Sequence, residues 1–381
     1  MNQPAEIVPG LKNSEVAKAS AELENAWTLP AAAYTSAEIG TLEKERVLRK
    51  SWLPIGRMEQ VSKPGDYLCL DILNQPLMIV HGSDGTVRVM SRICLHRGAP
   101  LAEGSGNKKL FVCPYHAWSY QNDGRLKKAP LMDGAEDFDE KNCRLPEVRA
   151  EIWNGFVMIN FDDDADDFAP QVSKFDDYFA NYKLGDMRII RSMEFDSHWN
   201  WKVLVENFME AYHHIAIHSR SLEPLYRARD SKIIDDGQPW SILHMPSAYG
   251  HPPEGFPVIE GLEEWQQTDL FATVLFPYFL LAVQGNSTIW YQVTPTAHDR
   301  LMLTIHLCVP ESSLQMEGFD ETAEMAEQLV SAVHHEDIEA NDMVWKGLNA
   351  PLSKQGRLSP LEKSIWQLNQ WWLGKMQTSD A

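Results

Sequence analysis

Cysteine is scarce, with five in a chain of 381 residues. So few thiols in so long a chain do not make a disulfide framework, the device of small secreted domains with insufficient cores. Basic residues are outnumbered, 34 against 54 acidic, for a formal net charge of −20. That deficit disfavours unassisted binding to nucleic acid or an anionic membrane surface, which both need a positive footprint. No uninterrupted apolar stretch reaches the ~18 residues of a membrane span. The opening "MNQPAEIVPGLKNSEVAKAS" lacks the basic start and apolar run of a secretory signal. Repeats, low-complexity tracts and a convincing G-x-G-x-x-G after a strand are also missing. The expectation is a cytoplasmic protein with no nucleic-acid and no membrane partner. Its 44% hydrophobic content is ample for a large core, and its length suits about two or three domains.

The texture changes along the chain. In the first part, "TSAEIGTLEKERVLRKSW" opens with Thr35 and has Glu38 three residues later, a capping-box pattern ahead of good helix formers. From Trp52 to about Phe161, strand-like segments such as "DYLCLDIL", "PLMIVHG", "TVRVMSR" and "GFVMINF" alternate with Gly/Asp/Asn turn signals. The acidic "DDDADDFAP" at 162–170 reads as a linker or solvated surface. Beyond it, "NWKVLVENFMEAYHHIAIH" reads as helical, and "TVLFPYFLLAVQGNSTIWYQVTPTAHDRLMLTIHLCVP" as three consecutive long strands. "FDETAEMAEQLVSAVHHEDIEANDMVWKGL" and "SPLEKSIWQLNQWWLGKM" read as long terminal helices. The expected domains are a helical segment over 1–50 that packs on the last domain, an all-β domain over 51–161, and an α+β domain with an antiparallel sheet over 162–381.

Two of the five cysteines sit in "RICLHRGAPL" and "FVCPYHAWSY", each close to a histidine: Cys94-x-His96 and Cys113-x2-His116. Three readings are open. The residues coincide by chance, in a chain with 13 histidines; they hold a tetrahedral zinc; or they hold a [2Fe–2S] cluster with two thiolates on one iron and two imidazoles on the other. A zinc finger would set its second pair as His-x3–5-His on a helix. Here each loop supplies one Cys and one His, with Pro114 stiffening one loop and Gly98 and Pro100 shaping the other. Two rigid loops gripping a cluster from both sides suit that spacing.

"CLHRGAPL…CPYHAWSY…DGRL" resembles the Rieske domain of the Rieske non-heme iron oxygenases, and the resemblance extends over roughly residues 45–375. It implies an N-terminal Rieske [2Fe-2S] domain followed by a helix-grip catalytic domain, with Cys94, His96, Cys113 and His116 as cluster ligands. A non-heme Fe(II) site needs two histidines and a carboxylate on one face, with positions left open. "ENFMEAYHHIAIH" offers Glu210, His213, His214 and His218. On an ideal helix, spacing alone selects Glu210, His214 and His218. The family pattern, carboxylate-x2-His-x4-His, maps instead onto Glu210, His213 and His218, and implies that the helix distorts or ends before His218. By the same resemblance the third iron ligand is Asp337 in "HHEDIEANDMVWKGL", with Glu336 and Asp342 as rivals. Glu210 becomes a bridge carrying electrons from His116 of one subunit to His213 of the next, in a homotrimer. Asn207 takes the place of an amide near the iron, and His214 becomes a packing neighbour.

The resemblance further implies the oxygenase component of a multi-component system. It would use O2 and electrons from NAD(P)H, delivered by a separate ferredoxin or flavin reductase, to hydroxylate a small organic substrate. Glu at the bridge points towards quaternary ammonium or N-methyl compounds, with Phe276, Tyr278, Phe279, Trp290 and Tyr291 as a candidate aromatic cage. Aromatic-ring hydroxylation is the alternative. A non-enzymatic Rieske electron carrier is the reading from another class, and it would not need the second metal site.

Overall fold

The computed structural model describes residues 7–234 and 239–377. The chain divides into two compact units: Trp52–Ser173, and the part from Lys174 onward together with the segment up to Ser51.

The Trp52–Ser173 unit is built from strands β1 (Leu53–Arg57), β2 (Asp66–Ile72), β3 (Gln75–His81), β4 (Val87–Ser91) and β5 (Ser105–Asn107). They are followed by β6 (Leu110–Val112), β7 (Ser119–Gln121), β8 (Leu126–Lys128), β9 (Glu147–Trp153) and β10 (Phe156–Asn160). Seven form an antiparallel sheet in the order β1-β10-β9-β4-β3-β2-β5, and β6, β7 and β8 make a small separate sheet. Strand β3 lies between β2 and β4, and its Met78, Ile79 and Val80 are fully buried. That explains its continuous apolar run, since a strand covered on both faces has no solvent side to leave polar. Leu73 and Asn74, at φ 51° and 65°, close the two-residue hairpin between β2 and β3.

This unit ends at Ser173, beyond the boundary expected at Phe161. The acidic stretch is exposed through much of its length, but it is anchored at its far end. Phe168 packs against Trp52 and Trp153 with ring centroids 5.8 and 5.7 Å apart. Its N–H donates to Glu151 at 3.0 Å, and Arg149 pairs with Asp167.

The other unit carries a second antiparallel sheet, β11-β17-β16-β15-β14-β13-β12. Its strands are β11 (Met187–Ser197), β12 (Lys232–Ile233), β13 (Trp240–Met245), β14 (Leu270–Leu275), β15 (Phe279–Val283), β16 (Thr288–Ala297) and β17 (Arg300–Pro310). The segment expected as three strands thus forms four. Pro277, which has no N–H for a ladder, falls where β14 turns into β15. Four helices matter for the site: α1 (Ala37–Arg46), α2 (Trp201–Phe208), α3 (Phe319–Leu348) and α4 (Lys363–Met376). The cap of α1 is Ser36 rather than Thr35: its hydroxyl accepts from the N–H of Ile39, while Thr35 donates back to the carbonyl of Ala31.

Helix α2 is held at its start by a buried charged knot. Lys202, with no exposed surface, pairs with Glu43 of α1. The same carboxylate accepts from Trp201 Nε1 at 2.9 Å and from Trp372 Nε1 of α4 at 2.6 Å. One turn on, Glu206 accepts from the Tyr34 hydroxyl at 2.6 Å. A buried ion pair is tolerable when hydrogen bonds satisfy its remaining lone pairs, as here. The knot therefore anchors the first turn of α2.

Candidate metal centres

In the β unit, two loops share one backbone design. The N–H of Cys94 donates to the carbonyl of Ala99 at 2.9 Å, and that of Gly98 to the carbonyl of Cys94 at 3.1 Å. In the other loop, the N–H of Cys113 donates to Trp118 at 2.7 Å and that of Ala117 to Cys113 at 3.0 Å. The fourth residue after each cysteine is left-handed, Gly98 at φ 73° and Ala117 at φ 58°. The first loop meets this demand with glycine, while the second holds an alanine in a region that non-glycine residues seldom adopt.

This repeat buries both thiols and turns both imidazoles outward. Cys94 and Cys113 are 2% and 3% exposed, whereas His96 and His116 are exposed, their ring centroids 4.5 Å apart. His96 stacks on Trp118 at 5.0 Å. Two thiols free of disulfides and two facing imidazoles, one pair from each loop, are the donor set of a [2Fe–2S] cluster of this type. Sequence reading missed Tyr120. Its hydroxyl lies 3.3 Å from Cys94 Sγ and accepts from the N–H of Leu95 at 3.0 Å, so its own proton is left to donate to the sulfur. Burial, and then the Cys94 contact, push the phenol upward and keep it protonated. The only signal was its place in "AWSY".

The second centre is in the other unit, and local structure overturns the helical reading of its motif. Helix α2 stops at Phe208, and a separate 3₁₀ turn runs Tyr212–Ile215. Glu210 drives that turn: its Oε2 accepts from the backbone N–H groups of Tyr212 and of His213, the latter at 3.2 Å. With no continuous helix here, ideal-helix spacing does not govern which histidines meet.

His213, His218 and Asp337 each present one ligand atom, all within 4.8 Å of one another. His213 Nε2 is 3.6 Å and His218 Nε2 2.9 Å from Asp337 Oδ1. The opposite ring nitrogens are both engaged: His213 Nδ1 with Glu210 Oε1 at 2.6 Å, His218 Nδ1 with Glu336 Oε2 at 2.6 Å. The Ser221 hydroxyl donates to the same Glu336 oxygen at 2.5 Å. Carboxylates on Nδ1 fix the tautomer that leaves each Nε2 as a lone-pair donor, the usual support of a metal-binding histidine. Burial alone would raise the Asp337 carboxyl, but the hydrogen bond and charge of His218, with His213 and His334, hold it below its usual range. Two imidazoles and one ionised carboxylate fit a non-heme iron with open positions.

Around these atoms lies a cavity of about 160 Å³, also lined by Asn207, Phe208, His214 and Tyr291. His214 is only 4% exposed and bonds through Nδ1 to the carbonyl of Tyr226 at 3.2 Å. Burial, then the neighbouring His213, push it down to about 3, so it stays neutral. Glu336 touches His218 but is outside the convergent trio, and Asp342 lies exposed five residues beyond Asp337. Of the five aromatics expected as a cage, only Tyr291 lines this cavity. Trp290, its neighbour on β16, faces the other side and stacks on His306 at 4.7 Å. Tyr278 packs on Trp201 and Phe276 on Trp371, while Phe279 is buried in β15.

Among the described residues no helix is long and apolar enough to cross a membrane. The family model described as ring hydroxylating alpha subunit (catalytic domain) matches residues 184–378, and that of the Rieske [2Fe-2S] domain matches 51–140. The chain is 34% identical over 191 residues to the carnitine monooxygenase oxygenase subunit of Acinetobacter pittii, covering 49% of this chain and 52% of that one. It thus spans about half the length of that relative. Against the chloroplastic choline monooxygenase of Spinacia oleracea the match is 25% identical over 356 residues, covering 91% and 78%. The fold superposes on a quaternary ammonium Rieske monooxygenase with a TM-score of 0.83 at 23% identity, covering 97% of this chain and 100% of that one. It also superposes on naphthalene 1,2-dioxygenase from Rhodococcus sp. with a TM-score of 0.82 at 17% identity, covering 97% and 98%. At these identities the superpositions speak for the fold alone.

Proposed function

The chain belongs to the ring-hydroxylating alpha-subunit family, with a Rieske [2Fe-2S] domain ahead of its catalytic domain, and from this premise we infer that it is the oxygenase component of a Rieske monooxygenase acting on a quaternary ammonium or N-methyl compound. One observation carries the reading: His213, His218 and Asp337 converge at one edge of a cavity of about 160 Å³. An electron carrier has no use for such a second centre.

When bound at these two sites, a cluster stores and passes electrons, and an iron activates O2. The overall change is C–H + O2 + 2 e⁻ + 2 H⁺ → C–OH + H2O. NAD(P)H supplies the electrons through a partner reductase, with or without a ferredoxin. The protein's own part is positional. Cys94, His96, Cys113 and His116 would hold the cluster, and His213, His218 and Asp337 the iron. Glu210 and Glu336 orient the two imidazoles, and Asn207 stands at the cavity wall. The aliphatic side chains of that wall, among them Leu222, Leu270, Ile289 and Val330, exclude water from the reacting carbon.

The substrate class rests on the relatives and on charge. The relatives are named for carnitine and choline. The cavity wall carries the carboxylates of Glu210 and Asp337, and the rings of Phe208 and Tyr291 lie 4.8 Å apart. Both features favour a cation, by Coulomb attraction and by cation–π contact, as does the net charge of −20. For electron transfer we assign a path from His116 of one chain through Glu210 to His213 of the next, in a three-fold assembly. Apolar rims support it: Leu95 and Tyr115 are exposed beside the cluster loops, and Tyr212 and Ile215 beside Glu210. The free thiols suit a reducing cytoplasm.

The test is peroxide-driven turnover of the reconstituted protein with betaines, carnitine, choline and simple aromatic acids, read by mass. Formaldehyde or a released amine is the expected product. A diol or phenol would transfer the chain to aromatic-ring hydroxylation. Iron at ~2 rather than ~3 per chain, with no product, would leave it an electron carrier.

A further inference from the structure

Behind the cavity at the iron ligands lies a second, larger one of about 400 Å³. The two adjoin across shared walls formed by Leu222, Gln284, Ile289, Leu329, Val330 and Val333. Five of these are aliphatic. Gln284 is the single polar side chain at the neck. Its Nε2 donates to the Tyr226 hydroxyl at 3.3 Å, which leaves its amide oxygen free to accept.

Helix α3 runs along both chambers and serves as a ruler. Ala326 faces the outer chamber alone, Val330 and Val333 face both, and Asp337 the inner alone. At the rise of an α-helix, Asp337 lies ~6–12 Å along the axis from the neck and ~16 Å from Ala326. A bare trimethylammonium head bound beside Asp337 is short enough to stay within the inner chamber. A longer molecule reaches the neck.

The lining also selects by charge. Glu210 and Asp337 line the inner chamber and Glu254 the outer, and among the described residues no lysine and no arginine lines either. A carboxylate drawn into this space would have no guanidinium or ammonium to pair with and would meet like charge. The outer chamber instead presents hydroxyls and amides, among them Ser247, Tyr249 and Ser287. Its wall is built rather than incidental. Asn286, 2% exposed, donates through Nδ2 to the carbonyls of Pro253 at 3.2 Å and Phe256 at 3.2 Å, pinning the 253–256 loop.

We propose that the outer chamber is a binding site for the far end of an elongated substrate, whose N-methyl head occupies the inner chamber and whose uncharged, hydrogen-bonding tail passes Gln284. Gln284 is then a specificity residue that favours a hydroxyl or amide tail over a carboxylate. The head group rests on the quaternary-ammonium reading above, whereas the tail does not.

The test is calorimetric binding to the metal-loaded protein. The ligands are tetramethylammonium and three trimethylammonium compounds of matched length ending in hydroxyl, methyl or carboxylate. A parallel series carries a neutral tert-butyl head. The hydroxyl-ended ligand should bind about tenfold tighter than the methyl-ended one, the worth of one hydrogen bond, and the carboxylate-ended one weakest. Gln284→Leu should abolish the hydroxyl advantage and leave tetramethylammonium unchanged. Ala326→Trp, which narrows the outer chamber, should weaken the long ligands only. Carboxylate binding equal to or tighter than hydroxyl binding would overturn the proposal. So would Gln284→Leu weakening every ligand alike, or Ala326→Trp leaving the long ligands untouched. If only the tert-butyl series binds, the quaternary-ammonium reading fails, and the same tail comparison within that series judges the chamber.

Discussion

Glu336 and His218 are joined by a hydrogen bond of 2.6 Å between Oε2 and Nδ1, although 118 positions separate them in the chain. The carboxylate sits one residue before Asp337, so a single turn of α3 supplies both a candidate ligand atom and the group that aims another candidate ligand. Replacing Glu336 with Gln should weaken iron binding about 10–100-fold, the range for losing such a supporting carboxylate, while the cluster's visible absorption stays intact. Iron titration against a chelator measures this. Unchanged affinity would mean that packing alone orients His218.

His213 and His214 are adjacent, but they face different tasks. His213→Ala should remove the mononuclear iron and keep the cluster's colour. His214→Ala should keep the iron, because that imidazole bonds to the Tyr226 carbonyl. Metal analysis of both variants decides, and iron loss confined to His214→Ala would reverse the assignment.

Glu210 accepts the Nδ1 proton of His213 and also caps the turn that follows it. Glu210→Gln should bind iron more weakly, as Glu336→Gln should, and with both metals loaded at excess iron it should slow electron passage between them. Rapid mixing of the reduced protein with O2 and substrate, monitored at the cluster band, reports that rate. Coupled turnover at the wild-type rate would sink the relay.

Tyr120 offers a hydrogen bond to Cys94 Sγ. Such donors stabilise the more negative, reduced cluster. Tyr120→Phe should therefore lower the reduction potential, read by redox titration, without loss of iron. A potential that rises or stays put contradicts the donor role.

Burial raises Glu206 from 4.5 to about 7, against the opposing effects of Tyr34 and Lys202. Between these values the folded chain keeps a proton that the unfolded chain has released, so this group's contribution to stability falls as pH rises. It is complete below 4.5 and lost as pH passes through about 7. The melting temperature of the wild type relative to Glu206→Gln should decline across that window. A difference independent of pH would show that Glu206 titrates as an ordinary carboxyl.

What the sequence determined by itself is local. Cys94, His96, Cys113 and His116 could be read because each pair is carried by one short loop, where hydrogen bonds between a residue and its fourth or fifth neighbour shape the backbone. The strands of the β unit were legible for a similar reason: apolar runs punctuated by turn residues report their own period. Glu210, His213 and His218 lie within one stretch too, yet ideal-helix spacing pairs His218 with His214, whereas the structure sets His213 and His218 beside Asp337. Helix α2 ends at Phe208.

Only the tertiary structure decided the rest. Glu336 on His218, Tyr120 on Cys94, and Glu43 beneath Lys202 and two tryptophans are all contacts between segments far apart in the chain. Such contacts depend on how helices pack against sheets and against one another. Alternation in β16 showed that Trp290 and Tyr291 face opposite ways, but not which face was core and which was cavity. The two chambers and their neck at Gln284 arise in the same way, from a helix laid along a sheet, and no single segment carries their shape.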